Sequence, residues 1–218
     1  LASVAVIAAF SLWRLLPVNR TQSIAPFTLR QAFRTILSNP SAVAGLAVAT
    51  LISTSNETVN IIFGVWMEQA FGLKVVALGA AAAVIGIAEF GGESLVASFT
   101  DRIGKKRAIG SGIASLALTY LAFPFLGQSL PGSLLGLFLI FITFELSYVS
   151  AISLMTELTP KARATLLAGY MAAAALGRAL GAVIGPALYS FGILANSLTA
   201  SILAILALLF LILFVQVE

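Results

Sequence analysis

The chain contains no cysteine and no histidine. Those absences remove disulfides, thiolate nucleophiles, Ser-His and Cys-His pairs, and nearly all zinc sites. Gly110-Ser111-Gly112 is accordingly a poor hydrolase signal, because no histidine exists to activate the serine and small residues are common where membrane helices pack. Charge is scarce too: 9% of the 218 residues are ionised side chains, against roughly 25% in an ordinary soluble domain. The net charge of +4 is not a nucleic-acid footprint, since its carriers sit between apolar stretches, where membrane topology accounts for them. With no triad, metal cluster or phosphate loop, an enzyme, a cofactor and a bound metal are not expected.

What the chain has in abundance is apolar length. Hydrophobic residues make up 60% of it, and a helix needs about 20 mostly apolar residues to cross a bilayer. Six segments meet that requirement, at approximately 41–67, 75–100, 108–127, 133–156, 161–190 and 193–215. The expected fold is therefore all-α, a polytopic six-helix transmembrane bundle over 41–218. Ahead of it, residues 1–17 form an apolar run ending Trp13-Arg14-Leu15-Leu16-Pro17. The basic residue follows the run and no small-residue cleavage site appears, so the end of a preceding transmembrane helix fits better than a signal peptide. Residues 18–40 read as a basic linker, in which Phe27, Arg30, Phe33, Arg34 and Leu37 recur at helical spacing. That pattern predicts an amphipathic helix on the membrane surface, ended by Asn39-Pro40.

Basic residues alternate between the two sides. Arg14, Arg20, Arg30, Arg34, Arg102, Lys105, Lys106, Arg107, Lys161 and Arg163 fall on one side, ten of the twelve in the chain. Lys74 falls on the other and Arg178 lies within a span. By the positive-inside rule the first side, with the C-terminus, is cytoplasmic.

Between the second and third full spans stands Ala97-Ser98-Phe99-Thr100-Asp101-Arg102-Ile103-Gly104-Lys105-Lys106-Arg107. It resembles the signature G-x-x-x-D-R-x-G-R-R of the major facilitator superfamily, with Ala97 in place of the first glycine. Gly104 permits the tight turn, and Lys105, Lys106 and Arg107 anchor it at anionic headgroups. Glu157-Leu158-Thr159-Pro160-Lys161-Ala162-Arg163 resembles the family's Pro-x-x-Arg loop, with Thr159 as N-cap and Pro160 at the first helical position. Gly177, Gly181 and Gly185-Pro186 form a ladder at four-residue spacing. It is similar to the G-x-x-x-G-P pattern of family antiporters, and it equally fits close helix packing. The resemblance implies the C-terminal six-helix half of a drug- or sugar-efflux-like transporter, whose two halves rock about a mid-membrane site. It further implies that Asp101 faces a helix N-terminus of the N-terminal six-helix half.

Ionisable residues inside spans are costly, about 2.5–3.5 kcal/mol each at the bilayer centre on insertion scales, so they mark polar cavities or partners. Here they are Glu57, Glu89, Glu93, Glu145 and Arg178. Thr50, Ser53, Thr54, Glu57 and Asn60 recur at spacings of three and four, which predicts one polar stripe, read as facing a central cavity. Glu57 and Glu145 are candidate proton or substrate carriers, Asn60 and Tyr148 candidate substrate ligands, and Glu89 an open case. Glu93, near the signature loop, reads as structural. Arg178 cannot lose its proton and needs either a carboxylate or an anionic substrate. Phe138, Phe141 and Phe144 read as packing or lipid contacts. The expected function is proton-coupled export of a small amphiphilic or sugar-like solute by an antiporter in a bacterial inner membrane. Uncoupled facilitated uptake, and a non-transporting scaffold subunit built on the same bundle, are the alternatives.

Overall fold

A computed structural model describes residues 10, 11, 14 and 28–216. Most of the expected preceding helix, together with Arg20 and Phe27, lies outside the described residues. Residues 10, 11 and 14 are helical, and the Arg14 guanidinium stands 5.4 Å from the centre of the Phe10 ring.

Among the described residues there are helices and turns but no strand. Helix α1 spans Leu29–Leu37, α2 Pro40–Asn60, α3 Phe63–Phe71, α4 Val75–Ile103, α5 Lys105–Leu126, α6 Leu130–Leu158, α7 Arg163–Tyr189 and α8 Ile193–Phe214. A 3-10 turn, Pro160–Ala162, leads into α7. Taken with their flanking turns they make six helices long and apolar enough to cross a membrane, with α2 and α3 counted as one span, Pro40–Phe71.

The boundaries follow local chemistry. Thr28 and Gln31 close a reciprocal capping box on α1, the Thr28 N–H donating to Gln31 Oε1 at 2.9 Å. That box opens the helix at Leu29. Asn39 caps α2 by accepting from the Ser41 and Ala42 N–H groups at 3.0 and 3.2 Å, with Pro40 at the first helical position. Gly104 joins α4 to α5 at φ +88°, a backbone region that side-chain-bearing residues avoid.

The packing has two sets of three helices. In one, α2 lies between α7 and α8; in the other, α6 lies between α4 and α5. The sets meet chiefly along α5 and α8, and more lightly along α6 with α7 and α2. The α2–α7 contact is the most extensive. A Cβ on Gly181 would stand 2.6 Å from Glu57 Cβ and 2.8 Å from the Thr54 carbonyl oxygen, and one on Gly185 2.6 Å from Ile61 Cγ2. Only glycine lets these backbones approach so closely, which is the packing role of the ladder.

Asn196 locks the far end of this seam, donating to the carbonyl oxygens of Thr58 and Gly185, each at 2.8 Å. Elsewhere Ser55 donates to the Ala200 carbonyl at 2.7 Å and Ser201 to that of Ala117 at 3.0 Å. In a medium without water, such side-chain to backbone bonds satisfy groups that would otherwise be orphaned.

Candidate functional site

Helix topology gathers the basic loops at one end of the bundle, as their alternation predicts. The starts of α2, α5 and α7 and the ends of α4, α6 and α8 all lie there, while Lys74 lies at the other end. Helix α1 joins that end, touching α2, α7 and the 3-10 turn. Lys105 forms an ion pair with Glu157 at the end of α6. Lys106 donates to the Val215 carbonyl at 2.6 Å, capping the end of α8. Asp101, Arg102 and Arg107 are exposed, as is Ala97. An acid in the last turn of a helix opposes the helix dipole, and among the described residues Asp101 forms no ion pair.

Within the spans, Glu145 projects from α6 at the crossing with α4. A Cβ on Gly92 would stand 2.6 Å from Glu145 Cβ and 2.9 Å from the Ile142 carbonyl oxygen, so glycine allows the two helices to meet there. Glu89, Glu93 and Arg178 all lie within electrostatic reach of Glu145. Glu89 and Glu145 are half-buried, whereas Glu93 and Arg178 are exposed. Among the described residues Arg178 forms no ion pair, and the only one there is Lys105–Glu157. The Glu93 carboxylate likewise forms no ion pair among the described residues.

An aromatic step borders this group. Tyr148, one turn beyond Glu145, stacks on Phe144 with ring centres 5.4 Å apart and leans on Tyr170 at the same distance. The Tyr170 hydroxyl donates to the Tyr148 carbonyl at 3.0 Å, and that of Tyr148 points to Met171 Sδ at 3.6 Å. Phe141 and Phe144 are buried and Phe138 packs against the core, so these rings serve packing.

Glu57 and Asn60 form a separate pair on α2, where Asn60 Nδ2 donates to Glu57 Oε2 at 3.2 Å. Both are half-buried, and Glu57 is not among the charges acting on Glu145. The rest of the predicted polar stripe does not face a cavity. Thr50 donates to the Ala173 carbonyl of α7 at 3.1 Å, Thr54 to the Thr50 carbonyl at 2.8 Å, and Ser53 is buried against Gly177. Periodicity identifies a shared face but not its neighbour, and the glycine stripe of α7 occupies most of this one.

The sequence reading also placed Thr159 as a side-chain cap. The residue does hold the N-cap position, yet its hydroxyl makes no cap hydrogen bond and has no hydrogen-bond partner among the described residues. Asn196 escaped that reading because a lone asparagine in an apolar run gives no sign of which backbone it will meet.

The comparisons with known proteins agree with this architecture. Over 175 residues the chain is 25% identical to YceJ, an uncharacterised MFS-type transporter of Bacillus subtilis, a match covering 79% of this chain and 44% of that protein. The chain thus spans less than half the length of the curated relative it matches. No solved structure matches. Residues 45–218 match the sequence profile of the Major Facilitator Superfamily. Six apolar spans, the Asp101-Arg102-x-Gly104 loop and that match together place the chain, as an integral membrane protein, in the major facilitator superfamily.

Proposed function

We propose that this chain is the C-terminal six-helix half of a secondary transporter that couples proton movement to export of a small amphiphilic or sugar-like solute. The carrying observation is the gathering of Glu89, Glu93, Glu145 and Arg178 on α4, α6 and α7. Three carboxylates against one guanidinium leave an excess of acid on the membrane helices that a coupled proton can balance. Glu145, half-buried beside an aromatic step, is the proton carrier in this reading. Tyr148 and Arg178 contact the solute, and the Glu57–Asn60 pair forms a second polar station on α2.

The N-terminal half of the same transporter is the partner that completes the cavity. Exposed ionisable residues on membrane helices argue for such a covering, because hydrocarbon disfavours them. Asp101 argues for it at the basic end: an acid held against its own helix dipole is best explained by a positive helix N-terminus on the facing half. The basic end, with the C-terminus, faces the cytoplasm of a bacterial inner membrane.

Transport in proteoliposomes under an imposed pH gradient tests the coupling. Wild-type protein should move solute only with the gradient, and Glu145→Gln should abolish the gradient's effect while leaving a folded protein. Gradient-independent movement that Glu145→Gln and Glu57→Gln leave unchanged would mean uncoupled facilitation instead.

A further inference from the structure

Helix α1 presents three faces of different chemistry, roughly a third of a turn apart at helical spacing. Ala32 and Ile36 are 2% and 4% exposed, buried where α1 meets α2, α7 and the 3-10 turn. Gln31, Thr35 and Ser38 make a second face, polar, uncharged and at least half exposed to the surroundings. The Thr35 and Ser38 hydroxyls donate to the Gln31 and Thr35 carbonyls of the helix itself, at 2.9 and 3.0 Å. Arg30, Phe33, Arg34 and Leu37 make the third face, and all four are exposed, Phe33 by 56% and Leu37 by 71%. The groove along it is lined only by residues between 28 and 38, so no other described element covers it.

This third face is held outward. The capping box fixes where α1 starts, and the two buried side chains fix its rotation. Asn39, directly after the helix, donates to the Leu158 carbonyl at 3.1 Å and ties α1 to the basic end of the bundle.

Its chemistry selects what meets it. Phe33 and Leu37 favour hydrocarbon over water. Arg30 and Arg34 are the only charges on the helix, and neither forms an ion pair among the described residues. A protein surface that buried Phe33 and Leu37 would have to bring acids to both guanidiniums or strand them without water. An anionic leaflet supplies hydrocarbon and negative headgroups at adjacent depths. We infer that the Arg30–Phe33–Arg34–Leu37 face docks on the anionic bilayer surface at the basic end. The guanidiniums meet headgroups, and Phe33 and Leu37 enter the upper part of the acyl chains. The three faces of α1 then match the three media around a helix lying in that plane: bundle, lipid and water.

Fluorescence quenching on the whole transporter, freed of any cysteine outside the present chain, tests this inference. The chain itself has none, so bimane attached through Phe33→Cys or Leu37→Cys reports on one position. In vesicles, both probes should be quenched by phospholipid brominated near the headgroup and not by aqueous iodide, whereas a probe at Thr35→Cys should show the reverse. In mixed vesicles, brominated phosphatidylglycerol should quench in preference to brominated phosphatidylcholine. Arg30→Gln and Arg34→Gln should each cut that preference by about fivefold, as expected for one cation at an anionic membrane surface. Arg30→Lys and Arg34→Lys should keep it. Size-exclusion profiles establish that each variant is folded. Probes at Phe33 and Leu37 that neither quencher reaches would mean that the other half or a second copy covers the face, and would overturn the inference. Quenching by iodide alone, or a lipid preference unchanged when both arginines become glutamine, overturns it too. The readout needs neither solute nor gradient, and Glu145→Gln should not alter it, so its failure is distinct from failure of the transport reading.

Discussion

The spans Pro40–Phe71 and Leu130–Leu158 bury 56% and 50% of their most apolar stretches inside the bundle, whereas Val75–Ile103 and Pro160–Tyr189 bury 17% and 22%. The contrast extends to chemistry. Every buried polar residue among those described is neutral, a serine, threonine or asparagine. The ionisable residues of the spans are half-buried or exposed, and Glu89, Glu93 and Arg178 belong to the two poorly covered spans. A neutral hydroxyl or amide can be satisfied by one or two backbone carbonyls, as Ser55 and Asn196 are. An isolated charge needs far more compensation than a helix seam offers. The bundle thus uses neutral polarity in its interior and keeps charge on its half-buried and exposed faces.

Glycine substitutions should separate the two regions most sharply. Gly181→Leu forces a side chain into Glu57 and the Thr54 backbone, and overpacking of that size costs more than about 3 kcal/mol. Loss of the monodisperse peak in size-exclusion chromatography is the expected result. Gly86→Leu, on α4 with nothing within 4 Å of the added carbon, should leave the peak intact and could raise stability by up to about 1 kcal/mol through helix propensity.

Charge substitutions should invert that ranking. Glu145→Gln should preserve folding yet reduce pH-driven transport by about tenfold or more, equivalent to about 1.4 kcal/mol of lost coupling. A parallel loss of folded protein would place Glu145 with the neutral seam residues and blur the distinction drawn above.

Two smaller effects sharpen the picture within the packed region. Asn196→Ala leaves the Thr58 and Gly185 carbonyls with one partner fewer and should lower stability in a thermal melt by about 1–2 kcal/mol, the range for hydrogen bonds between membrane helices. Lys106→Gln, which removes a cation from the end of α8, should cost only about 0.3–1 kcal/mol. An effect larger than that of Asn196→Ala would mean that the chain end, rather than the α2–α7–α8 seam, limits stability.

Much of the fold was legible from residues alone. The six spans and their short connections follow from apolar length, and observed ends such as Pro40, Val75 and Ile193 lie at or beside the expected ones. Asn39-Pro40 was legible as the end of the amphipathic helix, but not as the cap that Asn39 gives α2. Capping chemistry misled at Thr159, whose buried hydroxyl makes no cap hydrogen bond. The candidate site was legible as a list, since any ionisable residue in an apolar span stands out. Its grouping was not: Glu145 lies within electrostatic reach of Glu89, Glu93 and Arg178 on two other helices, while Glu57, equally conspicuous, pairs with Asn60 on its own helix.

Composition and order along the chain therefore determined what the bilayer demands of each segment on its own: how long it is, whether it crosses, and which end carries the positive loops. Those properties depend on transfer from water to hydrocarbon, which each helix undergoes as a unit. Tertiary structure alone decided which face of each helix is covered and by what. It made the Gly177–Gly185 ladder a seam for α2 and set Thr50, Ser53 and Thr54 of the polar stripe against α7. Such outcomes rest on ångström-scale contacts between residues more than a hundred positions apart, and local periodicity carries no record of them.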